Sequence, residues 1–270
     1  MTSQATIEIR DLVTHYGDRM ILKGVDMEVH QGEIMVIMGG SGSGKSTLLR
    51  HMLGLETATS GSVSLLGVDI CTASADELYK LRLQMGVAFQ SGALFSSKTV
   101  GENIILPLYE HTKLDQSTME IMSRLKLEVV NLAGFENLMP SELSGGMIKR
   151  AALARAIVMD PRILFCDEPS AGLDPVVSAA IDELILKLRD TMHMSIVVVT
   201  HELDSAFKIA DRITVLDQGE ILFIGTVDEV KHSDNQRIQD LLNRQTSKEE
   251  LDPDAYLRRL TGKNTLMGTT

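Results

Sequence analysis

A short run of glycines and serines that ends in Lys-Ser has the residue types that bind a phosphate group. Glycines let backbone N–H groups turn toward an anion, and a helix that starts there adds N–H groups without partners. In such a loop the lysine reaches the β- and γ-phosphates, and the serine hydroxyl holds Mg²⁺. A flexible connector is the alternative interpretation. The run consists of Gly39, Gly40, Ser41, Gly42, Ser43, Gly44, Lys45 and Ser46.

Two adjacent carboxylates form a second candidate group. Asp167 and Glu168 follow an apolar run that is typical of a buried strand, and open α/β sheets bind ligands at the carboxyl ends of strands. Asp167 can hold Mg²⁺, directly or through water, and Glu168 can polarise an attacking water, an effect worth typically ~10²–10⁴ in rate. The alternative is an acid pair that only faces solvent, and the phosphate loop upstream argues against it.

His201 follows another apolar run and is expected at the same edge of the sheet. It could contact the γ-phosphate or the attacking water. A histidine in this position is, taken alone, more often structural. Its combination with Lys45 and Glu168 favours a role in the site.

A second helix start with glycines lies far along the chain, at Ser144, Gly145 and Gly146. By the same physics it is a second site for an anion. As an isolated signal, an ordinary serine N-cap with a glycine turn is the better interpretation. If one chain cannot bring both helix starts to the same nucleotide, two chains must share it.

The elements around these residues predict a sheet with helices. The phosphate loop lies between an apolar strand at 34–38 and a helix at 47–53, the context that such a loop requires. Further strands are predicted at 6–16, 25–30, 62–66, 86–90, 162–166, 195–200, 212–216 and 220–224. Helices are predicted at 76–83, 100–108, 117–127, 144–159, 175–189 and 202–210.

These elements predict an α/β fold with a mixed, largely parallel sheet. The strands before the phosphate loop would form a small antiparallel layer. Between residues 91 and 160 strand signals vanish and helical ones replace them, so a helical subdomain is inserted into the α/β core. The last two strands form a hairpin.

Composition limits the classes of function. The 270 residues allow one large α/β domain or two small ones, and 44% apolar residues indicate a globular chain. A net charge of −11 argues against a chain-wide nucleic-acid surface. The chain has two cysteines, no signal-like start and no run of apolar residues long enough to span a bilayer. We therefore predict a cytosolic protein whose membrane role, if any, depends on partners.

The polar tail at residues 232–270 contains one segment with helix signals. Asp252 is a plausible N-cap, Pro253 suits the first helical position and Gly262 suits the stop. These residues predict a short helix at 253–261, with a frayed terminus as the alternative.

The order of these motifs resembles the ATP-binding cassette (ABC) ATPases over residues from about 5 to 230. The resemblance implies that the protein is an ATPase with ATP and Mg²⁺ as cofactors and that two chains form a head-to-tail dimer with two ATPs at the interface. It rests on Tyr16, the phosphate loop, Gln90, residues 143–147, residues 163–168, residues 170–174 and His201.

The resemblance also implies a role for each matching residue. Ser144, Gly145 and Gly146 of one chain would face the γ-phosphate that is held by Lys45 of the other chain. Tyr16 would stack on adenine. The remaining ligands would be Thr47 at the phosphate loop, Asp174 in a loop that crosses the dimer, and Gln90 beside Ser46 and Asp167 at the Mg²⁺.

Two departures from the family pattern are informative. Gly40 stands where a proline is usual, and Met147 stands where the signature usually has glutamine. Met147 together with residues 90–95 (Gln-Ser-Gly-Ala-Leu-Phe) resembles one subgroup, the ATPases of phospholipid transporters with mammalian-cell-entry-type partners, known as lipid-asymmetry (Mla) systems. In that subgroup a C-terminal extension embraces the other ATPase subunit, a role that residues 232–270 could have.

This resemblance predicts an ATPase that drives phospholipids between the inner and outer membranes and so maintains outer-membrane lipid asymmetry. The implied partners are an integral membrane permease, a lipid-binding mammalian-cell-entry-type protein and a small STAS-domain protein, with no nucleic acid. The ATPase would lie on the cytoplasmic side of the inner membrane, peripheral through the permease. Alternatives are an importer ATPase for amino acids or another small solute, a soluble non-transport ABC ATPase, and a regulatory module that does not hydrolyse ATP.

Overall fold

The computed structural model describes residues 5–243, in which ten strands form two sheets. The strands are β1 (Ala5–Tyr16), β2 (Arg19–His30), β3 (Ile34–Met38), β4 (Ser60–Leu65), β5 (Val68–Asp69), β6 (Met85–Ala88), β7 (Ile163–Asp167), β8 (Ser195–Val199), β9 (Arg212–Asp217) and β10 (Glu220–Gly225). The helices are α1 (Lys45–Met52), α2 (Ala75–Arg82), α3 (Val100–His111), α4 (Gln116–Val129), α5 (Gly145–Ala156), α6 (Pro175–Met192), α7 (Leu203–Ile209), α8 (Val227–Lys231) and α9 (Gln236–Leu242).

The first sheet is antiparallel, with strand order β2-β1-β4-β5. Ile7 and Ile9 of β1 are fully buried, as are Val25 and Val29 of β2. Apolar side chains at every second position of a strand cover one face of a sheet. This is the small antiparallel layer that the sequence predicts.

The second sheet is mixed, with strand order β10-β9-β3-β8-β7-β6. Only the β9–β10 hairpin is antiparallel, and the other pairs are parallel. Every residue of β3 and of β8 is buried, as expected for central strands of a parallel sheet that is covered on both faces.

One hydrophobic cluster joins the two sheets and the helix after the phosphate loop. Ile7 and Val29 come from the antiparallel sheet, Ile37 and Phe165 from the mixed sheet, and Leu48 from α1. The helix that begins at the phosphate loop is therefore anchored in the same core as both sheets.

The predicted helical segment is confirmed between β6 and β7. Three helices, α3, α4 and α5, pack against one another there, and α5 also packs against β6. Thr99, Asp115 and Ser144 cap their N-termini, each side chain accepting a hydrogen bond from a backbone N–H in the first turn.

Several predicted boundaries are wrong. β2 begins at Arg19 rather than at Val25, because the hairpin with β1 extends to Tyr16↔Arg19. Val68 and Asp69, which lie outside the predicted strands, form the short edge strand β5. β6 ends at Ala88, two residues before Gln90. α5 ends at Ala156 rather than near 159, and α8 and α9 were not predicted.

The contacts divide the chain into a unit that ends at His232 and a second unit that begins at Ser233. In the second unit the described part consists of α9, which Asn235 caps through Arg237 N. The helix predicted at 253–261 lies outside the described residues. None of the helices within residues 5–243 is long and apolar enough to cross a membrane.

Candidate active site

The phosphate loop connects β3 to α1, as predicted. Gly44 has φ +108° and is the N-cap of α1, whose first N–H groups receive no side-chain cap. A Cβ at Gly39 would lie 2.1 Å from the carbonyl oxygen of Leu216, so this position has no room for a side chain. At Gly40 and Gly42, by contrast, an added Cβ would have no heavy atom within 4 Å. The loop is therefore packed on one side and open on the other, where its free N–H groups can meet an anion.

Lys45 lies over this loop. Its Nζ donates to the carbonyl oxygens of Gly39 at 2.8 Å and of Gly40 at 2.9 Å. Burial lowers the pKa of Lys45, an effect that the charges of Glu168 and Asp167 oppose. Ser46 is exposed on the first turn of α1, whereas Thr47 is buried.

The strand register brings the candidate residues of three strands to one edge of the sheet. Val199 of β8 pairs with Ile37 of β3 on one side and with Asp167 of β7 on the other. The phosphate loop, the acid pair and the segment after β8 therefore leave the sheet at the same level. This is the carboxyl edge of the parallel strands, where open α/β sheets bind ligands.

Glu168 has an unusual backbone and a well-defined carboxylate. Its φ of +47° lies in the left-handed region, which costs a residue with a side chain of the order of 1 kcal/mol or more. Thr200 Oγ1 donates to Glu168 Oε2 at 3.1 Å, and His201 Nδ1 lies 2.8 Å from Oε1. An ionised carboxylate only accepts, so the proton of this contact belongs to His201 Nδ1. The two predicted residues are thus in direct contact.

Asp167 has the electrostatics of a cation ligand. Burial raises its pKa, and the neighbouring charge of Glu168 raises it further. A bound cation would relieve both effects, and Asp167 with Ser46 offers the hard oxygen donors that Mg²⁺ prefers. No group of three or more His, Cys, Asp or Glu residues within 5–243 could hold a metal alone. The donor set therefore fits Mg²⁺ bound jointly with phosphate oxygens.

Gln90 is exposed two residues after β6, and Ala88 of β6 pairs with Cys166 of β7. Its segment therefore leaves the sheet beside Asp167 and Glu168. That Gln90 takes part in binding Mg²⁺ stays a prediction.

Tyr16 ends β1 and is 46% exposed. Its hydroxyl donates to Glu56 Oε2 at 2.5 Å, and Arg50 of α1 donates to Oε1 of the same carboxylate at 3.2 Å. Glu56 thus ties Tyr16 to the helix that follows the phosphate loop. An exposed aromatic ring held in this way can stack on a flat ligand.

The second helix start has no hydrogen bond to the phosphate loop within residues 5–243. Ser144 Oγ accepts from Met147 N at 3.3 Å, so the N-cap interpretation holds, and the hydroxyl proton remains able to donate. A Cβ at Gly146 would lie 2.5 Å from Val177 Cγ1, so this glycine is also needed for the close approach of α6. Asp174 caps α6 by accepting from Val176 N and Val177 N.

Three residues that hold backbone near the site were not predicted from the sequence. Lys149 of α5 is buried and donates to the carbonyl oxygens of Gln90 and Glu168. Arg155 of α5 donates to the carbonyls of Gly92 and Ala93. Asn103 of α3 is buried and binds the backbone between residues 95 and 99. These residues hold the segment after Gln90, and their partners are backbone atoms distant in sequence, which no motif reveals.

The sequence profile of the ABC transporter family matches residues 22–171. The chain belongs to the ABC transporter family. It is 39% identical over 240 residues to the intermembrane phospholipid transport system ATP-binding protein MlaF of Haemophilus influenzae, a match that covers 89% of this chain and 91% of that protein. The MlaF of Escherichia coli K12 is 38% identical, and the match covers 88% of each chain. A probable ribonucleotide transport ATP-binding protein, mkl of Mycobacterium leprae, is 39% identical, and the match covers 90% of this chain and 70% of that protein.

Solved structures of similar fold are ABC cassettes. The dimeric cassette MJ0796 in a post-hydrolysis state with ADP and Pi has a TM-score of 0.75 and 31% identity, covering 82% of this chain and 98% of that chain. The cassette cbiO1 of Clostridium perfringens, part of the transporter complex cbiONQ, has a TM-score of 0.78 and 27% identity, covering 94% and 99%. The predicted ABC-type fold is confirmed, and the chain is an ATPase of this family.

Proposed function

We propose that this ATPase drives phospholipid movement between the inner and outer membranes of a Gram-negative bacterium. The observation that carries the proposal is the 39% identity to the phospholipid transport protein MlaF of H. influenzae, which extends over 91% of that protein. The pattern at residues 90–95 and Met147, typical of the lipid-transport subgroup, supports it.

In the proposed reaction the residues divide into three groups. The phosphate loop with Lys45, Ser46 and Thr47 holds the nucleotide phosphates, and Tyr16 stacks on adenine. Ser46, Gln90 and Asp167 hold the Mg²⁺, which supplies charge neutralisation at the phosphates when it is bound. The observed contacts with Thr200 and His201 support Glu168 as the group that orients and polarises the attacking water.

We further propose that two copies of the chain share each ATP. The two candidate phosphate-binding helix starts, at Lys45 and Ser144, have no hydrogen bond to each other within residues 5–243 of one chain, and MJ0796 is a dimer. Ser144, Gly145, Gly146 and Asp174 would then act on the nucleotide held by the other copy. Closing and opening of the pair on ATP binding and hydrolysis supplies a two-state motion for a permease.

The remaining partners follow from the same proposal. They are an integral membrane permease, a lipid-binding mammalian-cell-entry-type protein and a small STAS-domain protein. The chain would lie at the cytoplasmic face of the inner membrane through the permease. The extension at 232–270 is proposed as the arm that embraces the second ATPase subunit, and the ABC ATPase domain as residues 5–230 with the helical subdomain at about 91–160.

A second candidate cargo is a nucleotide or another small solute. The similarity to mkl, named as a probable ribonucleotide transporter, is as high in identity as the similarity to MlaF. It covers only 70% of mkl, against 91% of MlaF, and so supports this candidate less well.

Mass spectrometry of the intact complex that co-purifies with the full chain tests the proposed cargo. We expect a permease and a lipid-binding partner with bound phospholipid. Recovery of a solute-importer permease and no phospholipid would reject the lipid proposal and favour the second candidate.

Glu168→Gln tests the proposed base independently of the cargo. The amide keeps the size of the side chain but cannot polarise water, so ATP turnover should fall by about 10²–10⁴ while ATP binding persists. Glu183→Gln, at an exposed position on α6, is the control and should keep full turnover. Unchanged turnover in Glu168→Gln would show that the base is another group.

A further inference from the structure

Lys149 is a buried cation whose hydrogen bonds within residues 5–243 include no carboxylate. The residue is 9% exposed, and Nζ donates to Gln90 O at 2.5 Å and to Glu168 O at 2.8 Å. Burial lowers its pKa, an effect that the nearby charges of Glu168, Asp167 and Glu202 oppose, so the fold holds this charge against a desolvation cost. The hydrogen bonds of this buried ammonium go to two backbone carbonyls, which indicates that the position of those carbonyls matters.

The two carbonyls belong to neighbouring strand exits. Gln90 follows β6 and Glu168 follows β7, and the strands pair at Ala88↔Cys166. Lys149 itself lies on α5, about one turn after Ser144 and Gly146. One ammonium therefore connects the start of α5 with the segment of Gln90 and with the backbone of Glu168.

The left-handed backbone of Glu168 needs support from its surroundings. Its N–H donates to Val199 O at 2.8 Å, and its carbonyl accepts from Lys149 Nζ at 2.8 Å and, at the longer distance of 3.3 Å, from Ala171 N, so both sides of the residue are held. A strained conformation persists only where the surroundings fix it. Without Lys149 the carbonyl would keep only the longer bond from Ala171 N, so the peptide after Glu168 would be held less firmly and the carboxylate less firmly oriented toward Thr200 and His201.

We propose that Lys149 is a positioning residue for ATP hydrolysis, which holds Glu168 in its working conformation and links it to Gln90 and to the start of α5. The inference rests on the proposed role of Glu168. It requires no contact between Lys149 and the nucleotide. Loss of the Lys149 side chain should therefore lower turnover and leave nucleotide affinity unchanged.

The test compares Lys149→Met and Lys149→Arg in the full chain purified with its membrane partners. Methionine keeps the apolar stem and removes the donors, so kcat should fall about 10- to 100-fold, since a misplacement of ~1 Å can cost about 10² in rate. KM for ATP and the Kd for a fluorescent ATP analogue should stay within about twofold, because the phosphate loop is untouched. Arginine, which can donate to both carbonyls, should recover most of the rate.

Arg155→Met is the matched control, because Arg155 also donates from α5 to two backbone carbonyls but does not contact Glu168. It should lower kcat far less than Lys149→Met does. Lys149→Gln, which is polar but lacks the charge and the reach of lysine, serves if the methionine variant melts at a lower temperature than Arg155→Met. Its kcat should also fall while KM stays unchanged.

The outcomes separate this inference from the proposed base. Full turnover in Glu168→Gln rejects the role of Glu168 and with it the basis of the inference. Loss of turnover in Glu168→Gln, together with kcat within twofold of wild type in Lys149→Met, rejects the inference alone. A fall in ATP affinity that parallels kcat, or an equal loss in Arg155→Met, also rejects it, because either shows general damage to the fold.

Discussion

At the scale of single residues, burial opposes the charges at the centre of this site. It lowers the pKa of Lys45 and of Lys149 and raises the pKa of Asp167. Glu168 adjoins Asp167, so two carboxylates share one partly desolvated edge of the sheet. A bound divalent cation and phosphate would offset these charges, so the arrangement favours binding the two together.

This electrostatic arrangement predicts a pH-dependent requirement for Mg²⁺. The pKa of Asp167 is raised, so the carboxylate takes up a proton at higher pH than an exposed aspartate does, and the proton competes with the cation. The apparent affinity for Mg²⁺ should therefore fall as the pH is lowered below neutrality, and it should begin to fall at a higher pH than an exposed aspartate would give. ATPase activity measured against Mg²⁺ concentration at several pH values tests this expectation.

Asp167→Asn is the control for that measurement, because ATP itself titrates in the same range. The variant should need more Mg²⁺ at neutral pH. Its Mg²⁺ requirement should change with pH only through the protonation of ATP. Identical pH profiles for Asp167→Asn and the wild type would show that Asp167 does not carry the effect.

Within the site, the residues whose contacts are local could be predicted from the sequence. The phosphate loop and the acid pair were predicted from a strand, a turn and a helix adjacent in the chain. Lys149 and Glu56 were missed, since their partners lie 59 residues away at Gln90 and 40 residues away at Tyr16. A lysine in a helix has no local feature that distinguishes a solvent-facing side chain from one that reaches two buried carbonyls.

At the scale of elements, the start of α5 is shaped by α6 as well as by any anion. Gly146 allows Val177 to approach, whereas Gly145 leaves more room, with Leu173 Cδ2 at 3.4 Å from an added Cβ. The two glycines of one motif therefore have different structural roles. This difference depends on the α5–α6 packing, which the sequence does not reveal.

Gly146→Ala should consequently destabilise the fold. The added methyl overlaps Val177, and overpacking of this kind costs typically 1–3 kcal/mol. Thermal unfolding should show a lower melting temperature for Gly146→Ala than for Gly145→Ala, which is the matched control. An equal melting temperature for the two variants would contradict the assigned packing role.

A second substitution separates packing from phosphate binding at Gly146. Val177→Ala in the Gly146→Ala background removes the overlap and should restore much of the lost stability. If Gly146 also faces the γ-phosphate of the other chain, as proposed, ATPase activity should remain low in this double variant.

In the fold, too, the elements that depend on local sequence could be predicted and those that depend on distant contacts could not. Central strands such as β3 and β8 were predicted because they are continuously apolar, and buried parallel strands have that pattern. β5 and the first half of β2 were missed, since Val68–Asp69 is too short to show a period and residues 19–24 have no regular alternation. Both are strands because a neighbouring strand pairs with them.

At the scale of the whole molecule, the arrangement of the site supports the proposed second copy. The start of α1 and the start of α5 both offer anion-binding N–H groups, but α5 packs on α3, α4 and α6 and has no hydrogen bond to the phosphate loop within residues 5–243. A head-to-tail pair with two-fold symmetry makes two equivalent sites, each from one Lys45 and the partner's Ser144. Such a pair predicts that variants can complement each other, which a site built within one chain does not predict.

Two inactive variants should complement each other when they are mixed. Lys45→Ala removes the phosphate-loop cation, and Ser144→Asp repels the γ-phosphate while it keeps a good N-cap for α5. In a mixed dimer both defects fall in one site, and the other site combines an intact Lys45 with an intact Ser144. An equimolar, fully exchanged mixture should therefore recover about a quarter of the wild-type ATPase activity, since half of the dimers carry one intact site of two. Each variant alone should stay inactive. A mixture of Lys45→Ala with Glu168→Gln tests whether the base lies on the chain that holds the phosphates. If it does, the mixed dimers have no intact site and this mixture stays inactive. Activity no greater than that of the separate variants would show that each chain hydrolyses ATP without the start of α5 from its partner.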